Sequence, residues 1–353
     1  MDSFFRFVNT VTPDFSVLFW ASKDLLMKVN PYLDKTLFTG VGYPPNTLLF
    51  YFPFALFPYQ FSQNFFFILS FLSLIFSFWV TFKILDIRVK KLSFLIYILL
   101  ALVSFPTRFT FGMGQNNFIV LPLILLSYYF FQNDKKELSG MFLGLAISFK
   151  TIFAFFLLFY LLKREWKIFA YSLLTILLSV LLTGGLFGWS LYSFYLSEVI
   201  PPLLNLEGRE IYYNQGIFGF ISRIVLDIGL RRIFGFVLSA LVGLTTIILS
   251  LKKRNTIYQF SLFFISLLLI DSLSWQHHFV WLIFPFVFLS QTFLNRRERA
   301  LLVLLTFSYL LVSWNFKVIP DVRFASFMVL SHVFIGTILL FILNIKLFFK
   351  KDI

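Results

Sequence analysis

Residues 167–187 read KIFAYSLLTILLSVLLTGGLF, a run that is apolar almost throughout and carries one charged residue, at its start. A helix of about 20 apolar residues is long enough to cross the hydrocarbon core of a bilayer. Further apolar runs, several of them shorter, cover 47–82, 92–105, 116–132, 138–149, 151–162, 233–251, 256–272, 278–293, 300–314 and 322–346. The sequence therefore predicts an all-α polytopic membrane protein, a bundle of about 10–11 transmembrane and half-spanning helices with a break near Pro58.

The composition favours one membrane domain. Hydrophobic residues make up 59% of the 353 residues and charged residues 13%. A soluble protein is about half apolar and about one quarter charged. No polar block is long enough to form a soluble domain, so we expect a single integral membrane domain over 1–353. The chain contains no cysteine, which excludes disulfides and thiolate metal sites.

The net charge of +14 suggests a nucleic-acid partner at first sight, but its distribution indicates membrane topology instead. Cytoplasmic loops of membrane proteins carry an excess of lysine and arginine. One set of connecting segments holds 18 basic and six acidic residues, near 83–91, 134–137, 163–167, 252–254, 296–299 and 346–352. The rest of the chain holds 12 basic and ten acidic residues. We therefore place the first set in the cytoplasm and expect no nucleic-acid partner.

The remaining connecting segments are expected on the non-cytoplasmic side. They are 1–46, 105–116, 188–230, 271–278 and 314–322. Two of them are long enough to form structure of their own, namely an amphipathic segment at 11–46 and a loop at 188–230. The aromatic and amphipathic character of that loop suits an interfacial position near lipid headgroups.

The stretch 138–162 has the length of about one span, yet basic residues flank both of its ends. A hairpin of two half-helices with Lys150 at its tip satisfies both facts. A cation inside an apolar stretch is a functional candidate by default, here as a counter-charge to an anion. Snorkelling of the side chain toward the headgroups is the structural alternative.

Asp14 lies in the aromatic stretch Pro13–Trp20 on the expected outer side. A carboxylate among apolar neighbours is a plausible general base, because partial desolvation raises its pKa. Asp14 also precedes an amphipathic helix that continues through Leu26, so it could instead be an N-cap. Both interpretations stay open on the sequence alone.

Further polar residues precede apolar runs on the expected outer side. Tyr43 opens the proline-rich turn YPPN at 43–46, and Gln115 and Asn117 lie in FGMGQNN at 111–117. Prolines in such a position set a turn and start a helix. Amides at membrane depth must find partners, either in a helix-packing network or in a sugar.

The loop 188–230 contains Arg209, Asn214, Gln215 and Arg223. The two arginines could hold a phosphate through bidentate contacts. The alternative is that they are merely solvated.

The stretch SWQHH at 274–278 places Trp275, His277 and His278 at an outer helix end. Adjacent helical residues point about 100° apart, so a metal shared by the two histidines is not expected. Donation from one histidine to a phosphate or a leaving oxygen is more natural, with packing as the alternative. The residues beyond 290 show no motif.

Taken in order, these segments resemble glycosyltransferase family 87. The resemblance covers about 14–290, and the order and spacing of the pieces make it specific. The pieces are Asp14-Phe15 with Trp20-Ala21, Asn30-Pro31-Tyr32, Tyr43-Pro44-Pro45, Gly114-Gln115-Asn116-Asn117, Gly144-Leu145-Ala146 with Lys150, Asn214-Gln215 with Arg223, and Ser274-Trp275-Gln276-His277-His278.

The resemblance implies a GT-C-fold enzyme of a bacterial-type plasma membrane. Such an enzyme moves a hexose, mannose above all, from polyprenyl phosphate to a hydroxyl on the non-cytoplasmic face, with inversion. The family's aspartate base corresponds to Asp14, and its Trp-x-His element corresponds to Trp275 and His277. The expected donor-phosphate ligands are His277, His278, Lys150, Arg209 and Arg223. The expected sugar or acceptor ligands are Gln115, Asn117, Tyr43, Asn214, Gln215 and Trp275.

The leaving group of this reaction is already a phosphate, so cations and hydrogen-bond donors can stabilise it. We therefore expect neither a metal nor another cofactor. The expected partners are membrane lipids, the polyprenyl-phosphate sugar and a lipid or cell-envelope glycan acceptor, with the protein a monomer.

One departure from the family concerns the start of the chain. Members normally have a transmembrane helix before the loop that carries the aspartate, but only 13 residues precede Asp14. We therefore expect a bundle that lacks a first helix, or a chain whose true start lies upstream.

Two other functions compete with the enzyme. A secondary transporter or a lipid or glycolipid flippase would also fit broken helices and an intramembrane Lys150. A non-catalytic membrane scaffold is the third option. The placement of the polar residues on one side of the membrane favours the enzyme.

Overall fold

The computed structural model describes residues 12–33, 41–88, 91–204, 209–252, 255–315 and 329–349. Within these ranges the protein is helical and has no β-strand, which confirms the all-α prediction. In the described part of the chain, five helices are long and apolar enough to cross a membrane: Tyr59–Ile84, Trp166–Phe187, Ile228–Leu251, Gln276–Asn295 and His332–Phe349. A sixth candidate span consists of Leu92–Val103 and Phe105–Met113, bent by 66° at Ser104.

The other helices are shorter. They are Pro13–Leu26, Pro31–Leu33, Pro45–Leu49, Phe52–Ala55, Asn117–Gln132, Lys136–Phe149, Thr151–Ala154, Phe155–Leu162, Ser190–Phe194, Tyr195–Val199, Ile200–Leu203, Ile217–Ile224, Thr256–Ile270 and Arg299–Ser313. The predicted break near Pro58 is confirmed, because the helix Phe52–Ala55 ends before it and Tyr59–Ile84 begins after it.

The chain forms two compact units. The first unit comprises Met1–Val80, Thr110–Leu157 and Glu165–Asn205, and the second comprises Thr81–Phe109, Leu158–Arg164 and Leu206–Ile353.

In the first unit, the helices Lys136–Phe149 and Trp166–Phe187 run in the same direction. Lys136 forms a salt bridge with Glu165 near the start of both, and the Ser148 and Ser179 hydroxyls form a 3.0 Å hydrogen bond further along. The chain must therefore return between these helices to the end at which the first one started. This return is the hairpin that the flanking basic residues predict.

Close packing between those two helices depends on small residues. A Cβ added to Gly144 would lie 2.6 Å from the backbone oxygen of Ser172 and from the Thr175 Cβ. Small residues at such contacts let membrane helices approach closely, which increases van der Waals packing.

An aromatic cluster anchors the helix Pro13–Leu26 within the first unit. Phe15 is fully buried, and its ring centroid lies 4.7 Å from that of Phe66 and 5.9 Å from that of Phe19. Aromatic pairs of this kind contribute about 0.5–1.5 kcal/mol each beyond the burial of their area. The cluster therefore holds the residue next to Asp14 in a fixed place.

In the second unit, the helix Thr256–Ile270 is central. Every residue from Tyr258 to Leu269 is buried, as expected for a helix that is apolar all round. Hydrogen bonds between helices support the packing, because the Asn344 amide donates to the Ser261 hydroxyl at 2.7 Å.

Candidate functional site

Asp14 lies in the first turn of the helix Pro13–Leu26, outside the candidate spans. The N-cap of this helix is Thr12, and no side chain caps it. The N-cap interpretation of Asp14 is therefore wrong. The Asp14 side chain is instead partly exposed and bonded to another part of the chain, and the helix N-terminus favours its negative charge.

The first unit gathers Asp14 with four other predicted residues. The Gln115 amide nitrogen donates to Asp14 Oδ2 at 2.5 Å, and Lys150 Nζ donates to Gln115 Oε1 at 3.1 Å. Lys150 also donates to Asn117 Oδ1 at 2.6 Å, and the Tyr43 hydroxyl reaches Gln115 Oε1 at 3.4 Å. A continuous polar network thus connects the candidate base to the candidate cation.

Gly114 explains why Gln115 can reach Asp14. The helix Phe105–Met113 ends at Gly114, whose φ of +66° lies in the left-handed region that favours glycine. This turn redirects the chain before the helix Asn117–Gln132 begins. The amide side chains at 115 and 117 are therefore presented together at the junction of two helices.

A second set of contacts places Lys150 at its helix break. The helix ends at Phe149, and Lys150 is extended with φ −151° and ψ 103°. The carbonyl of Ser148 accepts hydrogen bonds from the Asn46 amide at 3.2 Å and the Thr47 hydroxyl at 2.9 Å. The proline-rich turn at 43–46 thus starts a helix whose polar residues bind the interrupted backbone.

Lys150 is only 7% exposed, and amide oxygens surround its ammonium group. The snorkelling alternative is therefore wrong. A buried cation needs hydrogen-bond partners to offset its desolvation, and Gln115 and Asn117 supply them.

The environment of Asp14 suits a proton acceptor at neutral pH. Desolvation of the half-buried Asp14 carboxyl raises its pKa to about 6, against the opposing effects of the Gln115 hydrogen bond and the Lys150 charge. A base works best when its pKa lies near the operating pH, because it is then both ionised and basic.

The second unit joins the loop that follows residue 208 to the segment 271–278. Asn214 pairs with Trp275 in an antiparallel bridge, and the Gln215 backbone N–H donates to the Ser274 carbonyl at 2.8 Å. The Asn214 amide donates to the carbonyls of Arg209 and Ser272. These contacts hold the two predicted segments side by side.

Gln215 and Arg223 make further contacts with backbone atoms. The Gln215 amide donates to the Tyr212 and Leu330 carbonyls at 2.6 and 2.7 Å. Arg223 Nη1 donates to the Asn214 carbonyl at 2.8 Å, and burial lowers the pKa of Arg223 to about 10, so its guanidinium stays charged. Their observed contacts organise the loop, and their predicted ligand roles stay predictions.

Arg209 is buried beside an acidic neighbour. Burial lowers the pKa of its guanidinium, and the charge of Asp271 opposes that effect. The alternative that Arg209 is merely solvated is therefore wrong.

The histidine rings stack on different partners. His277 stacks on Trp275 with centroids 5.9 Å apart, whereas His278 stacks on Trp281 at 4.9 Å. The two imidazoles lie nearly perpendicular to each other, at 84°. Both side chains are buried, and the Tyr213 ring also stacks on Trp275, with centroids 6.1 Å apart.

Sequence reasoning missed the contribution of the chain beyond residue 290. Ser331 accepts a hydrogen bond from Arg223 Nε at 3.1 Å, and the Phe334 backbone N–H donates to Gln215 Oε1 at 3.3 Å. His332 contacts the Tyr212 hydroxyl at 3.0 Å. A lone histidine, His332, within the apolar run 322–346 was the available signal, since ionisable groups in such runs are rare.

Gln276 was also missed. Its side chain is fully buried, and neither amide atom has a hydrogen-bond partner in the part of the chain that the structure describes. An unsatisfied buried amide costs stability, so the position calls for a role other than packing.

The structure thus assigns the predicted residues to two groups, one in each unit. The first unit brings together Asp14, Tyr43, Gln115, Asn117 and Lys150. The second unit holds Arg209, Asn214, Gln215, Arg223, Trp275, His277 and His278.

Curated relatives of this chain are mycobacterial enzymes. It is 24% identical over 214 residues to a polyprenol-phosphate-mannose-dependent alpha-(1-2)-phosphatidylinositol mannoside mannosyltransferase of Mycobacterium tuberculosis, covering 60% of this chain and 49% of the relative. A protein of the same description from Mycolicibacterium smegmatis is 26% identical over 212 residues, covering 57% and 47%. The chain thus spans about half the length of these relatives.

A third relative is a polyprenol-phosphate-mannose-dependent alpha-(1-2)-phosphatidylinositol pentamannoside mannosyltransferase of Mycolicibacterium smegmatis. It is 26% identical over 210 residues, which cover 57% of this chain and 49% of the relative. No solved structure matches the chain significantly. Residues 41–271, more than half of the chain, match a family profile, and the chain therefore belongs to glycosyltransferase family 87.

Proposed function

We propose that the protein is a membrane glycosyltransferase that moves a hexose, with mannose the first candidate, from polyprenyl phosphate to a hydroxyl group. The acceptor is a lipid or a cell-envelope glycan, and the reaction inverts the configuration at the anomeric carbon. Membership of glycosyltransferase family 87 and the names of the three relatives support this class of reaction. The observation that carries the proposal for this chain is the Asp14 carboxylate bonded to Gln115 in a network with Lys150.

In the proposed reaction Asp14 is the general base. Its carboxylate takes the proton of the acceptor hydroxyl while the hydroxyl oxygen forms a bond to the anomeric carbon. The bond between that carbon and the phosphate oxygen breaks, and its electron pair leaves with polyprenyl phosphate. One base suffices, because the phosphate leaves as an anion without protonation.

Charge that develops on the leaving phosphate needs fixed cations or hydrogen-bond donors. We propose this role for His277, His278, Lys150, Arg209 and Arg223. Their side chains are buried or half-buried, which strengthens electrostatic interactions relative to those in water. This donor set supplies positive charge from the chain itself, so we propose that the transfer needs no metal ion.

Contacts to the sugar and the acceptor are proposed for Gln115, Asn117, Tyr43, Asn214, Gln215 and Trp275. Amides and hydroxyls match the donors and acceptors of a sugar. The stacked rings of Tyr213 and Trp275 provide an aromatic surface of the kind that packs against a sugar face. We propose that the reaction takes place on the non-cytoplasmic side, which the distribution of basic residues supports.

The deciding experiment compares the wild type with Asp14→Asn in membrane fractions supplied with radiolabelled polyprenyl-phosphate-mannose. Asn keeps the shape of the side chain but cannot accept the proton. The matched control is Asp227→Asn, because Asp227 is an exposed N-cap and Asn caps helices equally well. We expect label in an extractable glycolipid or glycan with the wild type and the control, and none with Asp14→Asn.

Equal transfer by the wild type and Asp14→Asn would remove Asp14 from the role of base. Donor binding without transfer in any variant, including the wild type, would favour the transporter or flippase instead. Presenting mannose and glucose donors side by side identifies the sugar.

A further inference from the structure

The Gln115 amide contacts two groups of opposite charge. Its nitrogen lies 2.5 Å from Asp14 Oδ2, and its oxygen lies 3.1 Å from Lys150 Nζ. Rotating the amide by half a turn would place its N–H groups against an ammonium and its oxygen against a carboxylate. The two charges therefore permit only one orientation of this amide.

The cation at one end of this arrangement is itself held in place. Lys150 Nζ donates to Asn117 Oδ1 at 2.6 Å, and the Asn117 amide reaches the Thr110 hydroxyl at 3.4 Å. Asn117 is fully buried and Lys150 nearly so. The position of the ammonium is thus set by protein groups.

At the other end, Asp14 has its backbone fixed on both sides. Phe15 is buried in the aromatic cluster, and the Thr12 carbonyl accepts the first hydrogen bond of the helix, from Ser16 N–H at 2.9 Å. The remaining freedom of Asp14 is rotation of its carboxylate. The bond from Gln115 removes that freedom by occupying Oδ2.

We propose that Gln115 is a positioning residue that fixes the rotation of the Asp14 carboxylate and transmits the charge of Lys150 to it. This inference rests on the proposed role of Asp14 as the base. With Oδ2 engaged, Oδ1 is the oxygen that takes the proton of the acceptor hydroxyl. Lys150 is accordingly a positioning residue in the first unit, in addition to any contact it makes with the donor.

The intervening amide has a chemical advantage over direct contact. An ammonium placed directly against a carboxylate lowers its pKa by about 1–3 units and so weakens it as a base. An amide between the two groups orients the carboxylate through a hydrogen bond and leaves it more basic. Preorganisation of this kind costs no rearrangement at the moment of reaction.

The test uses Gln115→Leu and Gln115→Glu, both close to glutamine in size, with kcat measured across pH at saturating donor. For Gln115→Leu we expect kcat to fall about 10- to 100-fold, the effect of one hydrogen bond to a charged group. The acid limb of its pH profile, which is the fall in rate toward low pH, should move to higher pH, a change that the loss of a sugar or acceptor contact alone would not produce. Gln115→Glu should move the limb further, since its carboxylate neutralises Lys150 and repels Asp14.

The matched control is Gln291→Leu. Gln291 is half-buried in the second unit and donates to the Tyr97 hydroxyl at 2.9 Å. Its loss removes one glutamine hydrogen bond to a neutral hydroxyl, away from Asp14, and we expect the wild-type pH profile. Thermal unfolding in detergent confirms that each variant is folded, and Gln115→Glu carries the test if the leucine variant is not.

To test whether the charge of Lys150 acts on Asp14 through Gln115, Lys150→Met is made in the wild type and in Gln115→Leu. Met fills the space of the lysine stem and removes the charge, and thermal unfolding in detergent confirms that each variant is folded. We expect Lys150→Met to move the acid limb clearly in the wild-type background and much less in Gln115→Leu. If Lys150→Met moves the acid limb equally far in both backgrounds, the two shifts are additive, and the charge of Lys150 does not reach Asp14 through Gln115.

A raised donor KM with an unchanged kcat and pH profile in Gln115→Leu would also overturn the proposal, because that result marks a ligand contact without any effect on Asp14. Failure of the underlying function is distinguishable. If Asp14→Asn keeps full transfer, the base assignment fails and this inference with it. If Asp14→Asn is inactive but Gln115→Leu behaves like the wild type, only the positioning role fails.

Discussion

Gly114 approaches Phe15 so closely that a Cβ on the glycine would lie 2.6 Å from the Phe15 Cβ. These residues are the chain neighbours of Gln115 and Asp14. The contact between a glycine without a side chain and a buried aromatic residue thus sets how near the amide lies to the carboxylate.

We predict that Gly114→Ala destabilises the protein by about 1–3 kcal/mol and reduces transfer more than this loss explains. Alanine is strained at a φ of +66°, and its methyl group would overlap Phe15. Relief of the overlap must move Gly114 away from the helix Pro13–Leu26, and this movement lengthens the hydrogen bond between Gln115 and Asp14. Thermal unfolding in detergent and kcat at saturating donor measure the two effects.

Gly185→Ala is the matched control for that substitution. Gly185 lies in the helix Trp166–Phe187, and an added Cβ there would have no neighbour within 4 Å. Alanine in a helix interior is more favourable than glycine by about 1 kcal/mol. Unchanged activity and stability in Gly114→Ala would show that the contact does not position the site.

We predict an acid limb in the pH profile of transfer, with its midpoint at about pH 6. Burial raises the pKa of Asp14 to about 6, and the carboxylate is the active form of a base. The rate should therefore be full above the pKa and fall about tenfold per pH unit below it. The measurement is initial rate of transfer between pH 4.5 and 8 at saturating donor.

A histidine could produce a limb in the same range, since its ordinary pKa is about 6.5. Lys150→Met distinguishes the two. The Lys150 charge lowers the pKa of Asp14, so its removal should move an Asp14 limb to higher pH. A limb that does not move would assign the titration to another group.

The chemistry of the first unit could be predicted to a large extent from the sequence. The basic residues that flank 138–162 predicted a hairpin with Lys150 at its tip, because lysine and arginine in the loops indicate which side of the membrane each loop occupies. The network between Gln115 and Lys150 could not be derived, since side-chain partners more than 30 residues apart depend on tertiary packing. The same limit explains the incorrect N-cap alternative for Asp14, whose partner is 101 residues away.

The second unit shows what sequence patterns leave out. Arg223 and Gln215 carry polar groups that suit a ligand, yet their observed partners include backbone carbonyls and the Ser331 hydroxyl. A carbonyl belongs to every residue and leaves no signature in the sequence. The chain near Leu330 therefore had no motif, although it holds both side chains.

We predict that Arg223→Lys lowers the stability of the protein. The guanidinium of Arg223 donates to the Ile211 and Asn214 carbonyls and to Ser331, and an ammonium cannot reproduce this fork. Loss of one or two such bonds costs about 1.5–3 kcal/mol each. The melting temperature in detergent should fall by several degrees, and donor KM measured on the remaining folded enzyme reports any ligand role.

Arg232→Lys is the control, because Arg232 is exposed in the same unit and lysine keeps its charge. It should melt like the wild type. A melting temperature of Arg223→Lys equal to that of the wild type, together with a raised donor KM, would show that Arg223 acts on the donor alone.

We predict that the transfer is insensitive to chelators. The phosphate-binding role is assigned to lysine, arginine and histidine side chains, which supply positive charge without a metal ion. Washing the membranes with EDTA should leave the initial rate unchanged. A loss of rate that Mg²⁺ or Mn²⁺ restores would contradict the assignment.

The sidedness of the site gives the last prediction. The chain has no cysteine, so single substitutions can be labelled without background. Met27 is 61% exposed at the end of the helix that carries Asp14, and Leu226 is 88% exposed after the helix Ile217–Ile224. The Asp134 side chain is 87% exposed in a segment expected in the cytoplasm.

In intact cells, a membrane-impermeant maleimide should label Met27→Cys and Leu226→Cys, and it should label Asp134→Cys only after permeabilisation. The opposite pattern would place Asp14 at the cytoplasmic face, where a donor displayed on the outer leaflet could not reach it.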